Sequence, residues 1–157
     1  MKRLTLMLFV AVAAVRCGPP GGDGADAGVS ADYDCTDAPK VTTAQLQTEL
    51  LETRCKTCHN VDNDPAIPGN MSTAAKAQEL VGKVASYATT AGSTLKVVDP
   101  NNPQNSSLYL KVLGGGTKYK GPKNEAVGAQ MPQGQTPLSA ADMTKIKNWI
   151  CTGATAQ

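Results

Sequence analysis

Histidine occurs once in this 157-residue chain, at His59; tryptophan occurs once, at Trp149, and phenylalanine once, at Phe9. The lone imidazole has a direct consequence: a metal that takes nitrogen from a histidine here takes it from His59. Aromatic residues make up 4% of the chain, so the polypeptide alone can build only a modest core. The net charge is +2, with Lys2 and Arg3 of the leading segment included, which leaves no electrostatic footprint for nucleic acid. The apolar run from Leu4 to Val15 is too short to cross a bilayer as a helix. There is no internal repeat. Lys96-Val97-Val98 reads as one very short extended piece, and nothing supports a sheet. The length allows one ordinary domain.

Against that sparse background stands Cys55-Lys56-Thr57-Cys58-His59. Two thiols three positions apart, followed at once by an imidazole, read as a c-type haem attachment site. Each thiol can add across one vinyl group of the porphyrin, and the histidine then faces the iron from the proximal side. A structural zinc site is the first rival, but it takes four Cys or His ligands. This run offers three, and the other cysteines are isolated. A thioredoxin-like dithiol is the second rival. It needs CxxC opening a helix after a strand, whereas this one closes an amphipathic stretch. A buried porphyrin would also supply the large apolar body that the aromatic-poor composition lacks.

Residues 1–17 read as an export signal: Lys2 and Arg3 form the positive region and Leu4–Val15 the apolar one. Ala11-Val12-Ala13 fits cleavage after small residues. Alternatively, Ala14-Val15-Arg16-Cys17 resembles a lipobox, with Cys17 as the lipid-modified residue, although Arg16 stands where a small residue is expected. Both readings place the mature chain outside the cytoplasm, periplasmic or anchored to the outer membrane. Disulfides persist there. Setting aside Cys17, Cys55 and Cys58 leaves Cys35 and Cys151, which are expected to pair; the alternative is two free or buried thiols.

Residues 18–34, rich in Gly, Pro, Ala and Asp, read as a flexible tether, and residues 35–157 as the domain. Thr42 with Gln45 forms a capping box ahead of Leu46 and Leu50, predicting a helix from Thr43 into the CxxCH run. Ser72 is expected to cap a second helix over Thr73–Val81, bounded by Gly82. Ser106 is expected to cap a third through Leu108, Leu110 and Val112, stopped at Gly114. Ser139 with Asp142 opens the last, with Met143, Ile146 and Ile150 on one stripe and Gly153 at its end. Gly114 to Pro137 reads as a long loop, of the kind that is functional or disordered.

A six-coordinate electron-transfer haem commonly adds methionine opposite histidine. Met143 falls on the buried stripe of the last helix. Met71 follows closely behind His59, on the proximal side. Met131 stands in a Met-Pro loop just before the final helix, where it can swing over the opposite haem face, stiffened by Pro132. Met131 is therefore the expected second ligand; the alternative is a flexible side chain filling a gap in the core.

CKTCH, then a Met-Pro loop, then a capped terminal helix ending Asn148-Trp149-Ile150-Cys151-Thr152-Gly153-Ala154, resembles a class I monohaem cytochrome c domain. Val98-Asp99-Pro100-Asn101-Asn102-Pro103 through Ser106-Ser107-Leu108-Tyr109 resembles a subgroup of haem domains found in exported bacterial lipoproteins and planctomycete-type cytochrome proteins. The resemblance covers Thr42 to Ala154. It implies an all-α fold of about four helices around one covalent haem c. The first and last helices would cross through Leu46, Leu50, Ile146, Trp149 and Ile150, with Trp149 as core packing. It also implies a backbone carbonyl that orients the proximal imidazole, for which the Pro65–Pro68 loop is the nearest candidate. The insert Gly114–Lys123 departs from the pattern.

The expected function is single-electron transfer by a His59/Met131-ligated haem, not enzymatic catalysis. The expected partners are redox proteins and, through the lipid, a membrane; a monomer is expected. Lys118, Lys120 and Lys123 are a candidate docking surface for an acidic partner, set against an ordinary solvated loop with Glu125 nearby. Two other functions compete. One is a haem-bearing subunit or docking module of a larger membrane redox complex. The other, if Met131 is not a ligand, is a five-coordinate haem peroxidase or sensor.

Overall fold

In the computed structural model, which describes residues 32–62, 69–86, 93–115 and 119–157, Thr42 starts the first helix with a reciprocal cap. Its side chain accepts from Gln45 N–H, and Gln45 Oε1 accepts from Thr42 N–H at 2.9 Å. Helix α1 runs as Thr43–Leu46, a π-helical turn Gln47–Leu51 and a last turn Glu52–Arg54. The wide turn carries into the CxxCH run, where Lys56 N–H reaches back five residues to Leu51 O at 2.8 Å. Leu46, Leu50 and Leu51 are buried on one side of α1.

Helix α2 is Ala74–Gln78, shorter than the sequence predicts at both ends. Ser72 is not its cap; it lies one residue ahead of the helix start, with its N–H donating to Asn70 Oδ1. Thr73 caps instead, accepting from Lys76 N–H. At the other end Val81 leaves the helix to pair with Val98, and Gly82 N–H donates to Val98 O at 2.8 Å. Backbone donors recruited by the 96–98 segment are no longer available to continue a helix. That segment is extended as expected, but among the described residues it forms only isolated bridges, to Val81, Val84 and Ser106.

Helix α3 spans Ser107–Leu113, and Ser106 precedes it without making a side-chain cap. The Ser106 hydroxyl is used elsewhere: it accepts from Asp99 N–H at 2.8 Å and donates to Asn102 O at 2.9 Å. It thereby closes the Asp99–Asn102 turn. That turn docks on the last helix, since Asn101 N–H donates to Ile150 O at 2.8 Å. Helix α4, Ala140–Cys151, is capped by Ser139, which accepts from Asp142 N–H, and Gly153 follows its end at φ +87°.

Helix α1 packs on α2 and α4, and α3 packs on α4. Leu46, Leu50, Ile146, Trp149 and Ile150 are all buried at the α1–α4 crossing. Burying each such Leu or Ile stabilises by about 1.5–3 kcal/mol, more than a helix cap contributes, so packing rather than capping holds this crossing. Trp149 adds a polar pin: its Nε1–H donates to Thr43 Oγ1 at 2.9 Å. The Thr43 hydroxyl in turn stands 2.7 Å from Gln78 Oε1 and 2.8 Å from Thr155 O, sharing one proton between them. Half-buried Lys145 and exposed Glu49 pair across the same crossing at 2.8 Å.

Cys35 and Cys151 form a disulfide across a sequence separation of 116, fixing the start of the domain to the end of α4. In the chain-entropy account, closing a loop of that length stabilises by about 4–5 kcal/mol. Contacts to the helices also reach back ahead of Cys35. Asp32 O accepts from Tyr109 Oη at 2.9 Å, the Asp32 carboxylate pairs with Lys147, and Tyr33 packs edge-on against Tyr109. Asp32 and Tyr33 thus pack against α3 and α4. Cys17, the rest of the leading segment, the Pro65–Pro68 loop and Lys118 lie outside the described residues.

Candidate functional site

Helix α1 delivers the CxxCH run directly. Cys55 N–H donates to Leu51 O, and His59 N–H donates to Cys55 O, both at 2.9 Å, so the pentapeptide coils on from the helix end. Cys55 is a free thiol that leans on the hydrophobic core. Burial pushes its pKa up to about 11, only partly opposed by the neighbouring Arg54 charge. Cys58, by contrast, is disulfide-bonded in this structure.

His59 is oriented by the chain that follows it. Its Nδ1 lies 3.0 Å from Gly69 O. A carbonyl only accepts, so Nδ1 carries the proton and, in the neutral ring, the Nε2 lone pair is the one suited to a metal. The acceptor is the residue just past the Pro65–Pro68 loop. Two further bonds hold it in register: Met71 N–H donates to His59 O at 2.8 Å, and Gln47 Nε2 donates to Met71 O at 3.2 Å. Gly69 itself sits at φ +96°, a conformation that favours glycine. Met71 is buried two residues after Gly69 and Met143 is buried on α4, both core positions.

Met131 is partly buried and packs against the same core as Cys55. Its N–H donates to Lys111 O at 3.0 Å, which ties the Met-Pro loop to the last turn of α3. Lys111 is largely withdrawn from water, and burial lowers its pKa. A second tie reaches the residue just before the CxxCH run. Arg54 Nη2 donates to Thr136 O at 2.5 Å, while Arg54 Nε is buried without a partner among the described residues.

The long loop is more ordered than its composition suggests. Gly121 N–H donates to Glu125 O at 3.0 Å, Lys120 bridges to Ala126, and the turn between them is pinned by the Glu125 side chain. That carboxylate, 1% exposed, accepts from Ser93 Oγ at 2.8 Å and from Lys123 N–H at 2.7 Å. Burial pushes the Glu125 carboxyl up. Hydrogen bonds from its own backbone, Ser93 and Lys123, with the Lys123 charge, outweigh that and hold it below the ordinary value. Lys120 and Lys123 are exposed, and Glu125 is a buried tie rather than a surface neighbour of theirs.

Arg54, Gly69 and Glu125 are the site-shaping residues that motif reading passes over. Gly69 had a faint signal, a glycine right after Pro68; Arg54 and Glu125 look like ordinary surface charges in the sequence. Among the described residues no three His, Cys, Asp or Glu side chains converge as a metal-holding group. No helix of the described residues is long and apolar enough to cross a membrane. No family model, no curated protein and no solved structure matches the chain.

Proposed function

We propose that this chain is an extracytoplasmic c-type cytochrome that carries single electrons on one covalent haem. Cys55 and Cys58 would attach the porphyrin, and His59 and Met131 would ligate the iron. The observation that carries the reading is the His59 Nδ1–Gly69 O bond, which presents an imidazole the way a metal ligand is presented, with the second nitrogen held by a carbonyl. The haem would supply one-electron chemistry between ferrous and ferric iron. The chain's own part is to fix the imidazole, to hold the Met131 loop on α3, and to exclude water with the α1–α4 core.

The sulfur chemistry sets an order of events. Attachment needs Cys58 as a thiol, so its disulfide must be absent when the vinyl groups react. It also needs a reactive Cys55 sulfur, and a thiol kept neutral to about pH 11 is a poor nucleophile. Both points place haem ligation before the fold closes. The Cys17 lipid anchor belongs to the same proposal, as does the outer location.

Expression in a host with haem-ligation machinery, followed by denaturing electrophoresis and an absorption spectrum, tests the reading. The expected product keeps its haem through denaturation, and its ferric form shows the methionine-sulfur charge-transfer band. A colourless protein with both CxxCH thiols recoverable rejects it. Covalent haem without the methionine band, and with high-spin iron, instead gives the five-coordinate peroxidase or sensor.

A further inference from the structure

Gly115 follows the end of α3 and is buried. Its N–H donates to Leu110 O at 2.9 Å, five residues back, which closes the helix end with Gly115 at φ +54°. A Cβ on Gly115 would stand 2.7 Å from Gly128 O, 2.8 Å from Ala129 C and 2.8 Å from Gln130 N. These are backbone atoms, which cannot swing aside as a side-chain end can. The residue after them is Met131, bonded through its N–H to Lys111 O. The Met-bearing loop is therefore seated on the end of α3 at two points one turn apart: a bare glycine against 128–130, and a carbonyl holding 131.

We propose that Gly115 is a positioning residue for Met131, setting where the thioether sulfur stands by letting the 128–130 backbone close directly on α3. The inference rests on the reading of Met131 as an iron ligand. It takes that reading further, because it says what aims the sulfur. Alanine at 115 would drive the loop outward until the 2.7–2.8 Å contacts are relieved, and displace the following residue with it. The 3.0 Å Met131–Lys111 bond would then lengthen or break. Gly134 supplies the internal control: it lies in the same loop at φ +70°, but a Cβ there meets nothing within 4 Å. Alanine at 134 adds the left-handed backbone strain without the collision.

The test uses the full haem-loaded protein as wild type, Gly115→Ala and Gly134→Ala. Gly115→Ala is expected to keep covalent haem and helix content, to lose the ferric methionine-sulfur band, and to exchange the Met131 amide proton about tenfold faster or more. Gly134→Ala is expected to keep the band. Equal loss in both variants assigns the effect to loop strain and overturns the contact. A Gly115→Ala protein that retains the band and the slow amide also overturns it. If Gly115→Ala does not fold, amide exchange in the wild type decides. Met131 and Gly115 should open together, with matching protection, and a Met131 amide exchanging far faster than that of Gly115 overturns the inference. A wild type with covalent haem but no methionine band overturns the Met131 assignment and this inference together. A wild type with the band and an unaffected Gly115→Ala variant overturns this inference alone.

Discussion

Arg54 donates from Nη2 to the Thr136 carbonyl at 2.5 Å, joining the residue that immediately precedes the CxxCH run to the segment that follows Met131. Eighty-two residues of sequence separate the two ends of this bond. The CxxCH side and the Met-Pro loop are thus held to one another by a guanidinium, independently of any cofactor. The exposed Thr136 carbonyl accepts one charged donor.

Arg54→Ala should therefore lower stability by about 1–2 kcal/mol, somewhat below the usual worth of a fully buried charged hydrogen bond because Thr136 is exposed. Urea unfolding monitored by Trp149 fluorescence measures it. In the haem-loaded protein the same variant should weaken the methionine-sulfur band while leaving haem attached. A midpoint unchanged from wild type, with an unchanged band, shows that the two segments do not depend on this bond.

At the α1–α4 crossing the Thr43 hydroxyl accepts from Trp149 Nε1 and faces Gln78 Oε1 and Thr155 O. Thr43→Val keeps the shape and removes the oxygen. It leaves the buried indole N–H without an acceptor, which costs about 1–3 kcal/mol. Thr43→Ser keeps the oxygen and should recover most of that, losing only a methyl contact. Chemical unfolding of the pair separates the hydrogen bond from packing: equal losses in Val and Ser variants assign the effect to packing instead.

How much of this was legible follows from how local each signal is. The Thr42–Gln45 capping box, the Leu46–Leu50 and Ile146–Ile150 stripes and the Gly153 terminus are set by residues within a turn of each other, and the structure shows each of them. The Cys35–Cys151 pairing was reached by elimination, with the export compartment as the reason. Ser72 and Ser106 illustrate the limit. Both are good caps by type, yet Thr73, the next residue, caps in place of Ser72, and the Ser106 hydroxyl is taken by Asp99 N–H. Gly115 and Arg54 were invisible because what gives them meaning, the 128–130 backbone and Thr136, lies far away in sequence. The CxxCH motif carries the proposal of a haem site, while the carbonyl that orients its histidine needed the fold.

Cys55 makes the haem-free fold testable without any cofactor. Burial raises its thiol from the ordinary 9.0 to about 11, so the neutral form prevails in the fold. A raised thiol pKa adds stability that is whole below about pH 9 and is lost as pH rises toward 11. Alkylation at Cys55 near pH 8 should run about 100-fold slower in the folded protein than in urea, following the thiolate fraction. The folded rate should keep climbing between pH 9 and 11, where that of the unfolded chain levels off. Equal rates in the folded and unfolded chain would show that the thiol is not enclosed.

Glu125 sets two opposing influences against each other, and pH reads which one wins. Burial favours the neutral acid; hydrogen bonds from its own backbone, Ser93 and Lys123, with the Lys123 charge, favour the carboxylate and carry it below 4.5. A depressed carboxyl pKa contributes stability that is present above the unfolded value and lost as pH falls through the folded one. Glu125→Ala should cost about 1–3 kcal/mol near neutral pH, since Ser93 Oγ and Lys123 N–H lose their acceptor. Glu125→Gln should cost less, because its carbonyl can serve Lys123 N–H while its amide donates to a turned Ser93 hydroxyl. The stability gap between wild type and Glu125→Gln should hold steady above about pH 5 and shrink below it. Comparing the two chains cancels the other carboxylates, including Asp32 and Asp62, which are also lowered by their lysine partners. A gap that widens as the pH falls would mean the carboxyl is raised instead, with desolvation stronger than the three hydrogen bonds around it.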